Sequence, residues 1–562
     1  MMLYRIVAVV MALTSHVVLG ADYDVIIENG TVYDGTGAPG YKADIAVAGD
    51  RVVAIGDLAE DSASLTIDAT GLAVAPGFIN LLSHAHTSLI KDGRAMSDVM
   101  QGVTLEVLSE LSLSPMNEET AENWDEMFAQ QNIELKWSTV GDYLSYVEAS
   151  GVTPNFGTFV SAGTVRMNIL GSGDVDPSEN ELEEMRALVE QAMQDGAFGL
   201  TSALIYAPDT YAETEELVEL AKVASRYGGI YSAHIRSEAN HLIEAIDETL
   251  RIGREADLPV KIHHLKAAGA PNWPKMKSAI EKIEAARKEG IVVTADMYTY
   301  AAGASGLDAS MPPWVQAGGV DRWVERLQNP EIRARVKSEM ESNTQEWENL
   351  GYFAGPQGMV FLDFKSKSLK KYQGMTLSEV AADRGQDALD TIIDLVIEDR
   401  SRVGTAYYLM SEENVGFQIR QPWVMFGSDA DAPAAEGEFM TTPVHPRTYG
   451  NVARLLGKYV RDEGVISFTE AIHRLTLLPA TTLSIEKRGR LVLGHFADIV
   501  VLDEQEVRDF STFEEPHQYS SGVVHVLVNG VPVITEGLHT GATPGRAIRG
   551  PGFGKDGSDE VE

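Results

Sequence analysis

Two stretches of this sequence share one design: Gly229-Ile230-Tyr231-Ser232-Ala233-His234-Ile235-Arg236 and Val260-Lys261-Ile262-His263-His264-Leu265-Lys266. Each is a largely apolar run that ends in histidine and then a cation. Two further apolar runs end in Ser83-His84-Ala85-His86 and Gly427-Ser428-Asp429-Ala430. In a parallel barrel the carboxyl ends of distant strands meet on one rim, where these imidazoles and the carboxylate would converge on a metal ion.

Eight such runs lie between residues 73 and 427, and helical patterns separate many of them. They are residues 73–82, 103–108, 156–160, 198–204, 229–233, 260–264, 291–297 and 423–427. Repeated strand–helix alternation predicts an α/β fold, the (β/α)8 or TIM barrel, over residues 74–480. We interpret the long interval before the last run, at about 305–400, as a cap inserted beside the active-site rim.

Both ends of the chain are rich in short strands. Residues 21–73 and 481–548 contain such strands with turn dipeptides between them, including Asn29-Gly30 and Asn529-Gly530. We therefore expect the two ends to pair into one small β-sandwich that flanks the barrel. Residues 549–562, rich in glycine and aspartate, are expected to form a loose tail.

The first twenty residues have the layout of a secretory signal peptide. A basic start ending at Arg5 precedes the apolar residues 6–13, and Val18-Leu19-Gly20 forms a small-residue exit. An uncleaved membrane anchor is the alternative, but the apolar stretch is short for one. We therefore expect an exported protein, periplasmic or secreted, with no membrane span once the signal peptide is removed.

Composition narrows the partners. The chain of 562 residues has a formal net charge of −38, which argues against nucleic acid or an anionic membrane as a partner and leaves a small-molecule substrate. Cysteine is absent, so neither disulfides nor thiolate metal ligands are available. Composition leaves the oligomeric state open.

Four histidines are candidate metal ligands. His84 and His86 point to the same side of a strand and can supply two ligands, although an ordinary buried or solvated pair is the alternative. His234 and His264 end neighbouring strands and can present their imidazoles side by side. Alternation along the strand leads us to expect His263 to face away from the centre.

Two carboxylates complete the predicted site. Asp429 follows the last barrel run, where it can bind metal and move a proton, or merely stabilise a turn. Glu110 follows the second run and is the candidate oxygen ligand, while Glu106 shares its face at a deeper position and is the alternative.

The chain resembles the amidohydrolase superfamily, and within it the D-aminoacylase (N-acyl-D-amino-acid deacylase) family. The resemblance covers nearly the whole mature chain, and the order and spacing of its motifs carry it. These motifs are Pro76-Gly77-Phe78-Ile79, Gln101-Gly102-Val103-Thr104, His234-Ile235-Arg236-Ser237-Glu238, His264-Leu265-Lys266, Gly427-Ser428-Asp429, His445-Pro446-Arg447, Glu515-Pro516-His517-Gln518-Tyr519-Ser520 and Val528-Asn529-Gly530.

This resemblance implies a zinc-dependent hydrolase that cleaves the amide of an N-acyl-D-amino acid. It implies that His234 and His264 bind metal and that Asp429 is catalytic. It further implies that Arg447 holds the α-carboxylate of the substrate and that Tyr298 polarises the scissile carbonyl. Two cations at the rim, Arg236 and Lys266, are expected to add positive potential for substrate binding, with ordinary salt bridges as the alternative.

Three departures from the family pattern affect the metal centre and the substrate site. Leu82 occupies the position of the first histidine of the family's His-x-His, and the family's cysteine ligand is missing. Tyr298-Thr299-Tyr300 replaces Tyr-Pro-Tyr, which relaxes a backbone restriction beside the carbonyl site. One zinc ion, held by Glu110, His234 and His264 with a position left for water, is the expected centre.

Two other functions fit the same fold. A barrel does not choose its substrate, so a hydrolase of cyclic amides, D-configured dipeptides or lactones is one alternative. The altered histidine pair and the missing cysteine make a catalytically inactive binding protein the other.

Overall fold

Eight parallel strands lie at the centre of the protein. A computed structural model describes residues 21–342 and 347–555, so the predicted signal peptide lies outside the described residues. The strands are β1 (Phe78–Ser83), β2 (Val103–Leu108), β3 (Asn155–Thr158 with Val160–Ser161), β4 (Gly199–Ala203), β5 (Ile230–His234), β6 (Val260–Ile262), β7 (Val293–Met297) and β8 (Val424–Phe426). Each corresponds to one of the eight predicted runs.

Each strand pairs in parallel with the next, from β1 through to β8. The first part of β3 pairs with β2 and its second part pairs with β4. Beyond β8, the amide of Asp429 donates to the Leu82 carbonyl at 2.9 Å, and the amide of His84 donates to the Ala430 carbonyl at 2.9 Å. The segment after β8 therefore joins the end of β1, and the predicted (β/α)8 fold is confirmed.

Helices surround the strands. They comprise Ser88–Lys91, Met96–Val99, Glu118–Gln130, Val140–Ser150, Ala162–Leu170, Glu179–Asp195, Thr214–Arg226, Leu242–Ala256, Lys275–Lys288, Glu412–Ile419, Arg447–Arg454, Phe468–Leu475 and Leu477–Thr482. In Glu179–Asp195, Ser178 forms a capping box with Glu181, and left-handed Gly196 ends the helix. Its buried residues Met185, Val189 and Met193 recur every four positions, which turns one face of this helix toward the strands.

Two sheets beside the barrel form the β-sandwich, and strands from both chain ends contribute to it. One sheet contains, in spatial order, Arg51–Gly56, Asp44–Ala48, Tyr23–Glu28 and Ala63–Asp68. The other contains Leu538–His539, Val531–Thr535, Val523–Val528, Ile499–Leu502, Ala73–Pro76, Thr31–Val32 and Tyr41–Lys42. Ile27 and Val47 of the first sheet share a hydrophobic core with Ile499 and Leu527 of the second.

The first predicted run, residues 73–82, divides at Gly77. Ala73–Pro76 belongs to the sandwich, whereas Phe78–Ser83 is β1 of the barrel. A Cβ atom at Gly77 would lie 2.1 Å from Oγ1 of Thr104 on β2, so only glycine fits at this junction. The single run in the sequence is therefore two strands in two sheets.

The cap is a separate layer over the rim. Three antiparallel strands, Gly303–Gly306, Gly404–Tyr407 and Met359–Asp363, form its sheet. Its helices are Gly319–Gln328, Pro330–Met340, Leu350–Ala354, Leu377–Arg384 and Ala388–Asp399. Its hydrophobic core, which includes Trp323, Val380 and Ile393, is distinct from the barrel core. The insertion predicted at about 305–400 thus forms a small unit between β7 and β8.

The expectation of a loose tail from residue 549 is wrong for its first part. Backbone amides of Gly550 and Gly554 donate to the carbonyls of Gly196 and Gln194, at 2.8 and 3.1 Å. These hydrogen bonds attach the chain to the last turn of the helix Glu179–Asp195 and to the residue that follows it. Residues 556–562 lie outside the described residues. Among the described helices, none has both the length and the apolar character that a membrane span requires.

Candidate metal centre and active site

Three residues at the barrel rim adopt left-handed backbone conformations. Glu110 follows β2 with φ 65°, His264 follows β6 with φ 30°, and Asp429 follows β8 with φ 50°. Such angles are uncommon for residues other than glycine and cluster at functional sites. In each case the chain turns sharply after the strand and presents a ligand-type side chain at the rim.

The first group of converging side chains consists of Glu110, His234 and His264, which we call the inner group. Oε1 of Glu110 lies 2.6 Å from Nε2 of His264 and 3.4 Å from Nδ1 of His234. One ligand atom from each residue falls within 4.8 Å of the others, and all three residues are buried. This is the predicted trio, and the structure brings it together.

A second group shares Glu110 and adds His84 and Asp429; we call it the outer group. Nε2 of His84 lies 2.8 Å from Oδ1 of Asp429 and 3.6 Å from Oε2 of Glu110. His86 belongs to neither group, because its Nε2 lies 2.9 Å from the Leu111 carbonyl. The expectation that His84 and His86 present two ligands to one metal is therefore wrong: the chain turns after β1 and separates the rings, whose centroids lie 6.4 Å apart.

The inner group fits a metal ion. His234 is 4% exposed, and neither of its ring nitrogens has a hydrogen-bond partner among the described residues. Leaving such buried polar atoms unpaired costs free energy, which coordination would recover. Two imidazoles with one carboxylate form a usual zinc donor set that leaves a position for water.

A further carboxylate contacts the ring of His264 on the side that does not face Glu110. Oε1 of Glu238 lies 2.9 Å from Nδ1 of His264 and 2.5 Å from Nζ of Lys266. Burial and Lys266 lower the pKa of His264, but Glu238, Glu110 and Asp429 outweigh them and raise it, and a metal ion in the inner group would take the place of the proton on the nitrogen that faces Glu110. Glu238 thus orients the ligand ring through the nitrogen that does not face Glu110, as metal-bound histidines require.

A second buried carboxylate, Asp296 on β7, holds the backbone of His264. Its Oδ1 accepts the His264 amide at 2.7 Å, and its Oδ2 lies 2.7 Å from Nζ of Lys261. Burial raises the pKa of Asp296, but Lys261 and His263 reverse the shift and lower it. The charged pair therefore fixes the left-handed turn that aims His264 at the metal position.

His263 does not face away from the centre as expected. Its Nε2 lies 2.9 Å from Oγ of Ser109 and 3.2 Å from Oγ1 of Thr201, so its ring reaches across the barrel interior. β6 ends at Ile262, so the alternation of side chains along a strand no longer applies to the next residues. The backbone turn at His264 then brings the His264 side chain to the rim. Both histidines consequently point inward, at two depths.

Asp429 meets the residues predicted to handle the substrate. Its Oδ2 lies 2.7 Å from Nη1 of Arg447, whose guanidinium stacks 4.4 Å from the centre of the Tyr298 ring. Burial raises the pKa of Asp429, but Arg447 and His264 outweigh it and lower the pKa to about 2. Asp429 is thus a carboxylate with one oxygen toward His84 and the other toward Arg447.

Thr299 compensates for the proline that the family pattern has at this position. Its amide donates to Oδ1 of Asn451 at 2.9 Å, and its hydroxyl donates to the Asn451 carbonyl at 3.0 Å. A proline has no amide hydrogen and could not form the first bond. The expectation of a relaxed backbone beside Tyr298 is wrong, because these hydrogen bonds hold the segment.

The two predicted rim cations, Lys266 and Arg236, lie in different places. Lys266 lines the cavity above the inner group, where it pairs with Glu238. Arg236 is absent from the described cavity lining: it forms an ion pair with Glu248 at 2.9 Å and donates to the carbonyls of Thr210 and Ala212. The assignment of Arg236 to substrate binding is therefore wrong, and the alternative of an ordinary salt bridge describes its contacts.

The choice between the two glutamates follows from depth. Glu106 lies below the rim, where its Oε2 accepts a hydrogen bond from Nδ2 of Asn80 at 2.9 Å. Glu110 alone of the two reaches the histidines. Sequence reasoning gave no role to Glu238 or Asp296, although a carboxylate four residues after His234 and a charge within the apolar β7 were visible signals.

Above these groups lies a cavity of about 500 Å³. The inner and outer groups line it, together with residues of the segment after β8 and residues of the cap. The lining residues from the cap include Gly303, Ala304, Ser305, Leu350, Leu362, Asp363, Arg402, Gly404 and Tyr407. The cap therefore encloses the space where a small molecule would meet the metal ligands.

Comparison with known proteins agrees with this arrangement. The model of an amidohydrolase family matches residues 65–534. The chain is 32% identical to the D-aminoacylase of Alcaligenes xylosoxydans xylosoxydans over 94% of this chain and 97% of that protein.

Two solved structures are also similar. A D-aminoacylase structure, described for one-metal activation and second-metal attenuation of its binuclear centre, superposes with a TM-score of 0.77 at 30% identity and covers 94% of this chain and 100% of its own. The N-acyl-D-glutamate deacylase of Bordetella bronchiseptica, complexed with zinc and a phosphonate inhibitor, gives 0.78 at 27%, with 94% and 99% covered. Fold, ligand groups and sequence together place the chain in the amidohydrolase family, in the group that includes D-aminoacylase.

Proposed function

We propose that this protein is a zinc-dependent amidohydrolase that converts N-acyl-D-amino acids into a D-amino acid and a carboxylate. The observation that carries the proposal is the convergence of Glu110, His234 and His264 beneath a cavity that also contains Asp429 and Arg447. The similarity to D-aminoacylase over nearly the full length of both chains supports the same substrate class.

In this mechanism Glu110, His234 and His264 would hold zinc, which would supply a Lewis acid for the activation of water and the polarisation of the scissile carbonyl. Arg447 binds the α-carboxylate of the substrate, since its planar guanidinium offers paired donors. Asp429 takes a proton from the attacking water and then delivers it to the leaving nitrogen.

Tyr298 completes the site as a hydrogen-bond donor to the carbonyl oxygen as negative charge develops there. Burial raises the pKa of Tyr298 well above its usual value, although Arg447 opposes the shift, so the phenol keeps its proton. The left-handed backbone at Asp429 and the stack of Arg447 on Tyr298 hold these three side chains against one another.

The decisive experiment is a hydrolysis screen with matched D- and L-configured N-acetyl amino acids. The purified protein is assayed before chelation, after chelation and after zinc is restored. We expect activity in the D series that chelation abolishes and zinc restores. Activity confined to the L series, or resistance to chelation, would contradict the proposal. If neutral cyclic amides are assayed alongside and are the only compounds hydrolysed, the result would favour the cyclic-amide alternative.

We also propose that the protein is exported with removal of residues 1–20. The support is the order of basic, apolar and small residues in that segment. Mass spectrometry of the protein recovered from periplasm and medium would give the mature N-terminus. Retention of full-length protein in the cytoplasm would contradict export, and a full-length form in the membrane fraction would favour the anchor.

A further inference from the structure

One buried amide side chain joins a helix to the ends of two barrel strands. Asn451, which is 2% exposed, lies on the helix Arg447–Arg454. Its Oδ1 accepts the amide of Thr299, after β7, at 2.9 Å. Its Nδ2 donates to the carbonyl of Gly427, after β8, at 2.8 Å. The side chain of Asn451 thus links three segments of the chain that are distant in sequence.

Each of these segments carries a residue to which the proposed function assigns a role. Tyr298 immediately precedes the bonded amide, and Asp429 lies two residues after the bonded carbonyl. Arg447 lies one turn before Asn451 on the same helix. Asn451 is absent from the described lining of the cavity. It therefore affects the substrate only through the residues whose segments it joins.

The same helix also holds the remaining polar groups of Thr299. The Thr299 hydroxyl donates to the Asn451 carbonyl at 3.0 Å, and the Thr299 carbonyl accepts from Nε of Arg454 at 2.9 Å and from the Tyr459 hydroxyl at 3.3 Å. Beyond Arg454 the helix continues as a π-helix, Leu455–Asp462. Residues five apart lie about 140° apart around an α-helix, whereas a π-helix pairs them. The wider turn therefore brings Tyr459 back to the face that meets Thr299.

We propose that Asn451 is a positioning residue that sets Tyr298, Asp429 and Arg447 relative to one another. This inference rests on the proposed function, in which those three side chains act together on one substrate. Loss of the Asn451 amide frees the helix and the two strand ends to shift, and displacement of reacting groups by about 1 Å lowers a rate steeply. The role depends on Thr299, because a proline at that position has no amide to donate.

The test is a double-mutant cycle on the zinc-loaded protein, with the N-acetyl-D-amino acid that the hydrolysis screen finds to react fastest. Asn451→Leu replaces the amide with an apolar side chain, and we expect kcat to fall by about 30-fold. The zinc content should stay at one equivalent, because the inner group is intact. In the Tyr298→Phe background the same change should lower kcat by only about 5-fold or less, since the hydroxyl to be positioned is gone.

A milder variant repeats the cycle. Thr299→Val removes the hydroxyl but keeps the backbone amide that Asn451 accepts. It should lower kcat by about 5-fold in the otherwise unchanged protein and leave kcat nearly unchanged in Tyr298→Phe. The cycle therefore gives a result even if Asn451→Leu does not fold.

The matched control is Asn168→Leu, at a second buried asparagine that joins backbone segments. Asn168 is 8% exposed, accepts the Asn117 amide at 2.7 Å and donates to the Pro115 carbonyl at 2.8 Å. Its loss should lower the unfolding temperature, as that of Asn451 should, because both variants leave backbone groups unpaired. It should not change kcat, since none of its partners carries a residue of the site.

The outcomes separate this inference from the proposed function. An unchanged kcat in Asn451→Leu, or equal falls in kcat with and without the Tyr298 hydroxyl, would overturn the inference alone. Absence of hydrolysis of every N-acetyl-D-amino acid by the unsubstituted protein would overturn the proposed function, and this inference with it.

Discussion

The inner and outer groups share Glu110 but are supported differently. In the inner group, His264 is held at its ring by Glu238 and at its backbone by Asp296. In the outer group, the side chain of His84 is 30% exposed, and Asp429 is engaged by Arg447 on its other oxygen. One group is a rigid, buried set of donors, whereas the other is divided between a metal position and the substrate site.

This difference indicates a division of labour. Buried imidazoles with fixed partners suit a metal that stays bound, because their geometry is set before the metal arrives. A carboxylate between an imidazole and a guanidinium suits proton transfer, because it lies where substrate and water meet. The outer group offers one imidazole where the inner group offers two, which favours one firmly bound zinc ion in the inner group.

The largest effect is expected from His234→Ala. Loss of an inner ligand should abolish stoichiometric zinc and lower kcat/KM by at least about 1000-fold, because both roles of the metal disappear. Zinc content by plasma mass spectrometry and hydrolysis rates check this. His473→Ala, at a histidine that contacts the Gly35 carbonyl away from the site, should retain both; full zinc content in His234→Ala would contradict the role of the inner group.

Asp429→Asn should separate metal binding from proton transfer. We expect kcat to fall by roughly 100- to 10,000-fold, since an amide cannot act as the base. The zinc content should remain near one equivalent, because the inner group is intact. Loss of zinc together with activity would instead make Asp429 part of the principal metal site and would remove the distinction between the two groups.

Asp296→Asn tests the support of the inner group. The amide can still accept from the His264 backbone but leaves Lys261 without its counter-charge, so we expect zinc affinity to fall by about 10- to 100-fold. A competition titration with a fluorescent chelator measures this directly. Asp50→Asn, which breaks an ion pair with Arg546 in the sandwich, is the control; equal affinities in the two variants would contradict the positioning role.

The smallest effects are expected within the first pair of histidines. His84→Asn should reduce binding of a second metal ion while it leaves the first in place, and kcat/KM should fall less than about 10-fold. His86→Asn should change neither quantity, since its ring faces the Leu111 carbonyl. Titration of metal per protein with each variant checks this, and equal losses in both would contradict the separation of the two rings.

The barrel and its principal ligands were accessible from sequence because strand ends and side-chain types coincide. His234 and His264 close apolar runs, and in a parallel barrel that position is sufficient to place them on one rim. The division of residues 73–82 at Gly77 was not accessible, because it depends on a close contact with Thr104 from another strand. Pattern alone shows a run and does not show the sheet to which each half belongs.

The site residues that sequence reasoning missed act through contacts between strands. Asp296 positions the metal site because it accepts a hydrogen bond from the backbone of His264, which follows the neighbouring β6. Arg236 does not line the substrate cavity because it forms an ion pair with Glu248 on a helix. Alternation gave the wrong direction for His263, since a strand rule fails where the strand has ended. The depth of each side chain below the rim decides between Glu106 and Glu110 as the metal ligand. That depth is known only from the folded barrel.

The left-handed residues at positions 110, 264 and 429 also have a consequence for heat tolerance. Each such angle costs a residue with a side chain on the order of 1 kcal/mol, a penalty that glycine avoids. A selection for thermostability alone would therefore favour glycine at these positions and yield thermostable variants without catalytic activity. Laboratory evolution of this scaffold needs a selection for turnover alongside one for survival at high temperature.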